Sequence, residues 1–302
     1  MFLNYYKKLE LDQNKLNNIY NLNGIDYQLL DLNPDTSEHR GSHAYLFSLR
    51  DPANLEENDK VIKICKTWRG STNDFHTKRL SRFDRETVAL RSAQNTKNVI
   101  TFFFDGNIEI SDKQFPFIVM EKADFDLKDF ILEFKPDFQN RILICKQILN
   151  GLIELDDLGI YHRDIKPDNF LYVGNELKFG DLGLIRFRDK DEIIDGDNEL
   201  IGPRGWLSPE SMNKFLTFKK ELGYNYDCDI DYKSDVFQLG KLFWFIFQYN
   251  VPVGRIKRPD FKIKDNQVYA IIAWMLNHDK RRRPNIKQLI ESFHPIFKRY
   301  AA

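Results

Sequence analysis

Residues 161 to 171 read YHRDIKPDNFL, an imidazole, a guanidinium, an ammonium, two carboxylates and a carboxamide within eleven positions. That mixture suits a site where one oxygen accepts a proton, a cation steadies developing negative charge and another oxygen holds a hard metal ion. Asp164 and Asn169, five residues apart, converge on one small volume if the chain between them turns, and Lys166 and Pro167 shape such a turn. Taken singly, each residue reads equally well as part of a polar turn capping a helix; the whole set does not. The apolar Ile160, Ile165, Phe170 and Leu171 would bury parts of the segment and hold its polar groups in place. A second acidic apex, FGDLGL at 179–184, sets Asp181 between glycines after a short apolar stretch. A hard oxygen ligand on a permissive backbone suits Mg²⁺, and an Asp-Gly type turn between strands is the plainer reading of this motif alone.

The elements that must position these groups fall into two parts. From Tyr27 to about Met120 the pattern is mostly short strands, YQLLDL, AYLFSL, KVIKIC, VITFFF and FPFIVM, rich in β-branched and aromatic residues. One helix interrupts them around 79–93, with Phe83 and Leu90 at helical spacing. A helix over 138–158 carries Ile142, Cys145, Leu149, Leu152, Ile153 and Leu155 on a broad face, is ended by Gly159, and delivers the polar loop. Beyond it come FLYV and LKFG, a polar stretch over 186–200, and helices around 236–247 and 267–276. The spacing predicts an α+β chain, a small strand-rich part followed by a larger, mainly helical one. Residues 1–24, rich in Asn, Lys and Tyr with weakly helical spacing at Leu9, Leu16 and Ile19, read as a loosely packed extension, with a docking segment as the alternative.

The bulk numbers narrow the classes. A chain with 42% hydrophobic and 30% charged residues is an ordinary globular one. Lys+Arg equals Asp+Glu at 45 each, which argues against a protein that wraps nucleic acid or coats an anionic membrane. Cys65, Cys145 and Cys228 are isolated and odd in number, so no disulfide framework is expected. The start, MFLNYYKKLELD, has no small-residue cleavage site, and the longest strongly apolar run, LFWFIF at 242–247, is too short to span a bilayer. A soluble, cytoplasmic protein is expected, without nucleic-acid or membrane partners.

With these motifs in place the chain resembles a eukaryotic-type protein kinase over about residues 27–296. His162-Arg163-Asp164, with Lys166 and Asn169 following, resembles the family's catalytic loop, Asp181-Leu182-Gly183 its DFG triplet with Leu for Phe, and Ser208-Pro209-Glu210 its APE triplet. The resemblance implies a bilobal fold: a small antiparallel-sheet N-lobe with one C-helix over 25–122 and a larger, mainly helical C-lobe over 123–302, together one kinase domain. It implies ATP and Mg²⁺ as cofactors, a protein substrate phosphorylated on Ser or Thr, and room for a regulatory partner. Asp164 would accept or orient the substrate hydroxyl proton and Lys166 support the transferred phosphoryl group, while Asn169 and Asp181 hold Mg²⁺. KVIK at 60–63 resembles VAIK, making Lys63 the ligand of the α- and β-phosphates and Glu86, in the C-helix-like FDRETVALR, its ion-pair partner. Lys66 is the rival; on a strand 61, 63 and 65 share a face, which points Lys63 with Val61 and Cys65 toward the nucleotide and Lys66 away. FIVMEKAD resembles the hinge, with Met120 as gatekeeper and the backbone of Glu121 and Ala123 at the adenine edge; Leu171 joins the nucleotide-binding set. HRGSHAYL at 39–46 resembles the glycine-rich loop, with Gly41 the surviving glycine among His39 and Ala44 and with Leu46 over the base. All Mg²⁺, ATP and substrate residues are thereby expected around a single nucleotide.

Other positions carry scaffold roles by the same resemblance. Glu210 and Arg283 resemble an ion pair bracing the large lobe, and Asp235 a residue holding the catalytic loop from below. The run KRRR at 280–283 reads as a solvated helix end containing that Arg, with a nucleic-acid patch as the alternative. His162 is expected to pack inward. The chain also departs from the family. No Ser, Thr or Tyr lies between Leu182 and Gly205, so no phosphate can order that segment by pairing with Arg163, and Asp189, Asp191, Glu192 or another local carboxylate is expected to substitute in part. Pro203 stands where Ser/Thr kinases usually carry a threonine. The thin glycine loop keeps a second reading open, a pseudokinase acting as a nucleotide-binding scaffold or interaction module.

Overall fold

A computed structural model describes residues 1–6, 8–32, 44–53, 59–190, 194–195, 199–217 and 226–300. Two compact units emerge, residues 1–95 with 100–123, and residues 96–99 with 124–302.

The first unit opens with two short paired strands, β1 (Phe2–Leu3) and β2 (Leu9–Glu10). Its main feature is an antiparallel sheet of six strands: β3 (Ile19–Leu22), β4 (Ile25–Asp31), β5 (Ala44–Arg50), β6 (Lys60–Cys65), β7 (Phe102–Ile110) and β8 (Lys113–Glu121). Their spatial order is β3-β4-β5-β6-β8-β7. Alternation decides the faces. Tyr45, Phe47 and Leu49, Ile62 and Ile64, and Phe115, Phe117 and Val119 point to one side and form a buried cluster. The intervening Leu46, Val61, Lys63 and Met120 therefore lie on the opposite side, with Leu46 opposite Lys63 and Val61 opposite Met120 in register.

Residues 1–24, expected as a loosely packed extension, pack into the first unit at their described positions. Met1, Leu9 and Leu22 belong to that buried cluster, and the Met1 amino group donates to the Asn17 carbonyl and Asn18 Oδ1, both at 2.8 Å. The weak helical spacing fails because Leu16 stands 71% exposed while Leu9 is fully buried; only a single 3₁₀ turn, Lys15–Asn18, forms there. The helix expected around 79–93 is α1 (Asp74–Ser92), which starts earlier because the Asn73 side chain caps it by accepting from the Phe75 N–H.

In the second unit come β9 (Phe125–Asp126), α2 (Leu127–Phe134), α3 (Phe138–Asp157), β10 (Ile160–Tyr161), β11 (Phe170–Val173), β12 (Glu176–Phe179) and β13 (Arg186–Phe187). The helices α4 (Pro209–Thr217), α5 (Tyr232–Gln248), α6 (Asn266–Met275) and α7 (Ile286–Tyr300) complete it. Strands β9, β11 and β12 form a small sheet, and β10 pairs with β13. Helix α3 ends with Leu158 as its cap and Gly159 next, as the spacing predicts. Helix α5 is buried on nearly every side from Ser234 to Phe247 and packs against α3 and α6. A helix apolar all round belongs at the centre of such a unit. Among the described residues no helix is long and apolar enough to cross a membrane. An antiparallel sheet with one helix, followed by a mainly helical part, is the α+β architecture the sequence pattern predicts.

Candidate active site

The polar loop is hung from α5. Both carboxylate oxygens of Asp235 accept main-chain N–H groups, His162 through Oδ2 and Arg163 through Oδ1, each at 2.7 Å. One helical turn on, the fully buried Gln238 carboxamide accepts from the Ile165 N–H at 2.9 Å and donates to the Arg163 carbonyl at 3.2 Å. Asp164 is thus bracketed on both sides by side chains of one rigid helix. That grip maintains Arg163 in a left-handed conformation, φ 66°, which costs a non-glycine residue about 1–2 kcal/mol. Gly202, at φ 111°, backs this clamp: a side chain there would meet Gln238 Nε2 at 3.0 Å and the Arg163 carbonyl at 3.1 Å.

Within the loop, Asn169 Nδ2 donates to the Asp164 carboxylate at 2.7 Å and to the Asp164 carbonyl at 2.8 Å, and the Lys166 ammonium lies 3.1 Å from the same carboxylate oxygen. Asp164 and Asn169, expected to converge if the chain turned, do meet, and Lys166 joins them. Burial pushes the Asp164 carboxyl up to about 6; Lys166 opposes the rise, Asp181 adds to it, and the Asn169 bond opposes it. Asp235 is pushed up to about 7 by burial, against the two main-chain donors and Arg163. His162 packs inward, its ring 5.2 Å from that of Phe179, and burial holds it neutral, down to about 4.

Asp181 follows β12 and is exposed, its Oδ1 accepting from the Gly183 N–H at 3.0 Å. Its approach is set by Gly180, whose N–H donates to the Asn169 carbonyl at 2.8 Å. A Cβ at 180 would lie 2.5 Å from Leu171 Cδ1 and 2.8 Å from its Cγ, so only glycine lets β11 and the Asp181 turn come this close. Among the described residues no group of three or more His, Cys, Asp or Glu could hold a metal. Mg²⁺ asks for less: one or two side-chain oxygens, completed by water and phosphate. One carboxylate, Asp181, and one carboxamide oxygen, Asn169 Oδ1, with Nδ2 already committed to Asp164, fit that donor set.

In the first unit Lys63 Nζ lies 2.6 Å from Glu86 Oε1, joining β6 to α1. Lys66 takes the other face of β6, its ammonium over the Tyr45 ring at 5.1 Å. The buried Val61 and Met120 and the partly exposed Leu46 share the Lys63 face. The Glu121 N–H donates to the Thr101 carbonyl at 3.0 Å while its carboxylate accepts from the Thr101 N–H at 2.6 Å, securing the end of β8 before the partly exposed Ala123. Gly41 and His39 lie outside the described residues.

A family model described as a protein kinase domain matches residues 54–295. The chain belongs to the protein kinase domain family. It is 33% identical over 57% of its length to the probable serine/threonine-protein kinase fhkB of Dictyostelium discoideum, covering 14% of that protein. With the serine/threonine-protein kinase cds1 of Schizosaccharomyces pombe it shares 32% identity over 45% of its length, 28% of the relative. With PknL of Mycobacterium tuberculosis, also a serine/threonine-protein kinase, the figures are 26%, 57% and 39%. The chain thus spans well under half of the curated relatives it matches.

Two residues of this kinase domain escape sequence reasoning. Gln238 has no charge and sits inside an apolar helix, and its only signal was being the one polar side chain within VFQLG. The carboxylate that meets Arg163 is Asp195, at 2.7 Å, with both side chains buried. Asp189 is exposed, and Asp191 and Glu192 lie outside the described residues. At the far end of the unit Arg283 makes a fully buried two-pronged pair with Glu210, 2.7 and 2.9 Å, and Ser234 Oγ donates to Glu210 at 2.5 Å. Arg281 and Arg282 of the same basic run are solvent-exposed and pair with Asp279.

Proposed function

We propose that this protein kinase domain is an active enzyme that transfers the γ-phosphoryl group of ATP, with Mg²⁺, to serine or threonine hydroxyls of protein substrates. The observation that carries the reading is the meeting of Lys166 and Asn169 on one oxygen of a buried Asp164. At neutral pH a carboxyl titrating near 6 is mostly ionised, and it is basic enough to take or orient the proton of an attacking hydroxyl. Lys166, held beside it, steadies charge on the group in flight. Asn169 and Asp181 supply hard oxygens for Mg²⁺, which when bound neutralises phosphate oxygens. In the first unit Lys63, oriented by Glu86, is the residue for the α- and β-phosphates, with Val61, Met120 and Leu46 on its face for the base; in the second unit Leu171 is assigned to the nucleotide as well. Such a site works by position and fixed charge rather than covalent chemistry.

Ser/Thr acceptors are favoured by Lys166 two residues after Asp164 and by the relatives' names. Three cysteines without disulfides accord with a reducing compartment, and we place the activity in the cytoplasm. The test incubates the full chain with labelled ATP, Mg²⁺ and a generic basic protein beside Asp164→Asn. Label should reach the acceptor, and the variant should lose about 10²–10⁴-fold in rate. Nucleotide binding without transfer by the unaltered chain would instead make it a binding module.

A further inference from the structure

The guanidinium of Arg163 is buried, 4% exposed, directly before Asp164, and a buried cation without a counter-charge is strongly destabilising. Where such an arginine is answered by a phosphate on a nearby segment, phosphorylation becomes a switch. Here the segment from Gly183 to Arg204 contains no hydroxyl side chain to phosphorylate. Yet Arg163 is answered: Asp195, from within that segment, is itself 8% exposed and accepts from Arg163 Nη2 at 2.7 Å. Asp235, also near Arg163, has both carboxylate oxygens committed to main-chain N–H groups.

We propose that Asp195 is a permanent counter-charge for Arg163, a positioning residue that anchors the segment to the catalytic loop and makes this kinase's activity independent of phosphorylation there. The geometry closes a circuit. Arg163 is gripped at its N–H by Asp235, at its carbonyl by Gln238 and at its side chain by Asp195, so Asp164 leaves a residue with no freedom to turn. A carboxylate brings one negative charge where a phosphate would bring nearly two, but it is built into the chain and buried on arrival. A phosphatase cannot remove it.

The proposal rests on the phosphotransfer reading, and its test separates the two. In the full chain, Asp195→Asn should lower kcat at least about tenfold, since a shift of Asp164 well under 1 Å is enough to cost that much, while the KM for ATP moves little. Asp195→Glu should recover part of that loss. A second reading needs no activity: tryptic cleavage after Arg186, Arg188, Lys190 and Arg204 should accelerate in Asp195→Asn and return toward normal in Asp195→Glu. Should Asp195→Asn fold poorly, the cycle of Arg163→Met, Asp195→Leu and the double variant replaces it, with the double more stable to heat than the sum of the single losses. An unchanged kcat and cleavage rate in Asp195→Asn, or additive single losses, would each overturn the proposal. Accelerated cleavage in a chain that transfers no phosphate would leave the anchor standing and remove the kinase reading alone.

Discussion

Replacing Gln238 by Ala should damage both the fold of the second unit and the rate, although the side chain touches no reacting group. The substitution strips the Ile165 N–H of its acceptor and the Arg163 carbonyl of its donor, in a place no water reaches. Each buried orphan costs about 1–3 kcal/mol, so the pair costs roughly 2–6 kcal/mol before any cavity is counted. Around 4 kcal/mol at about 2–4 °C per kcal/mol lowers the melting temperature of a unit this size by roughly 8–16 °C. The two lost bonds flank Asp164, so its carboxylate shifts as well, and a displacement of about 1 Å is enough to cost about 10² in kcat. Hydrogen exchange of a peptide spanning 160–170 reads the local effect directly: the Ile165 amide should lose protection while the β6 amides of the first unit keep theirs. Gln238→Glu retains an acceptor for Ile165 but not the donor for Arg163, and it adds a carboxylate one turn from Asp235; it should rescue exchange at Ile165 without restoring kcat. A Gln238→Ala protein that melts within about 1 °C of the parent, with kcat within about twofold, would refute the clamp, since two buried orphans cannot cost so little.

Removing one partner of the buried Arg283 and Glu210 pair, as in Arg283→Met, should cost about 3–5 kcal/mol in denaturant unfolding, and adding Glu210→Leu should recover much of it. Burial alone would raise the Glu210 carboxyl, but Arg283 and Ser234 outweigh it and hold it below its ordinary 4.5; the stability this provides is present above the unfolded value and lost as pH falls through the folded one, so acid titration below about 4.5 should unfold the parent faster than the apolar double variant. The kcat/KM profile should show an acid limb near pH 6 from Asp164; Lys166→Met removes a charge that lowers this value, so the limb should move to higher pH as the rate falls. Gly180→Ala should cost about 1–3 kcal/mol by overpacking against Leu171 and, by displacing the Asp181 turn, raise the Mg²⁺ concentration needed for half-maximal rate.

Sequence alone determined a good deal of this protein. Alternation along KVIKICK, residues 60–66, decided which lysine shares the Val61 face and meets Glu86 and which turns away, because a strand sends neighbours to opposite faces whatever it packs against. The spacing of Asp164, Lys166 and Asn169 let them meet once the chain between them turned, a turn the α5 clamp helps to fix. Local patterns also placed α3 and most of the sheet. Long-range partners were beyond such reasoning. Nothing in the first 22 residues announces that Met1 and Leu9 complete the core of a sheet whose strands lie far along the chain. Gln238 lies 75 residues from the carbonyl it holds, and Asp195 lies 32 residues from Arg163. Several carboxylates in that segment were equivalent as letters; among the described ones burial separates Asp195 from the exposed Asp189, and the charge that counts is the one removed from water together with its partner.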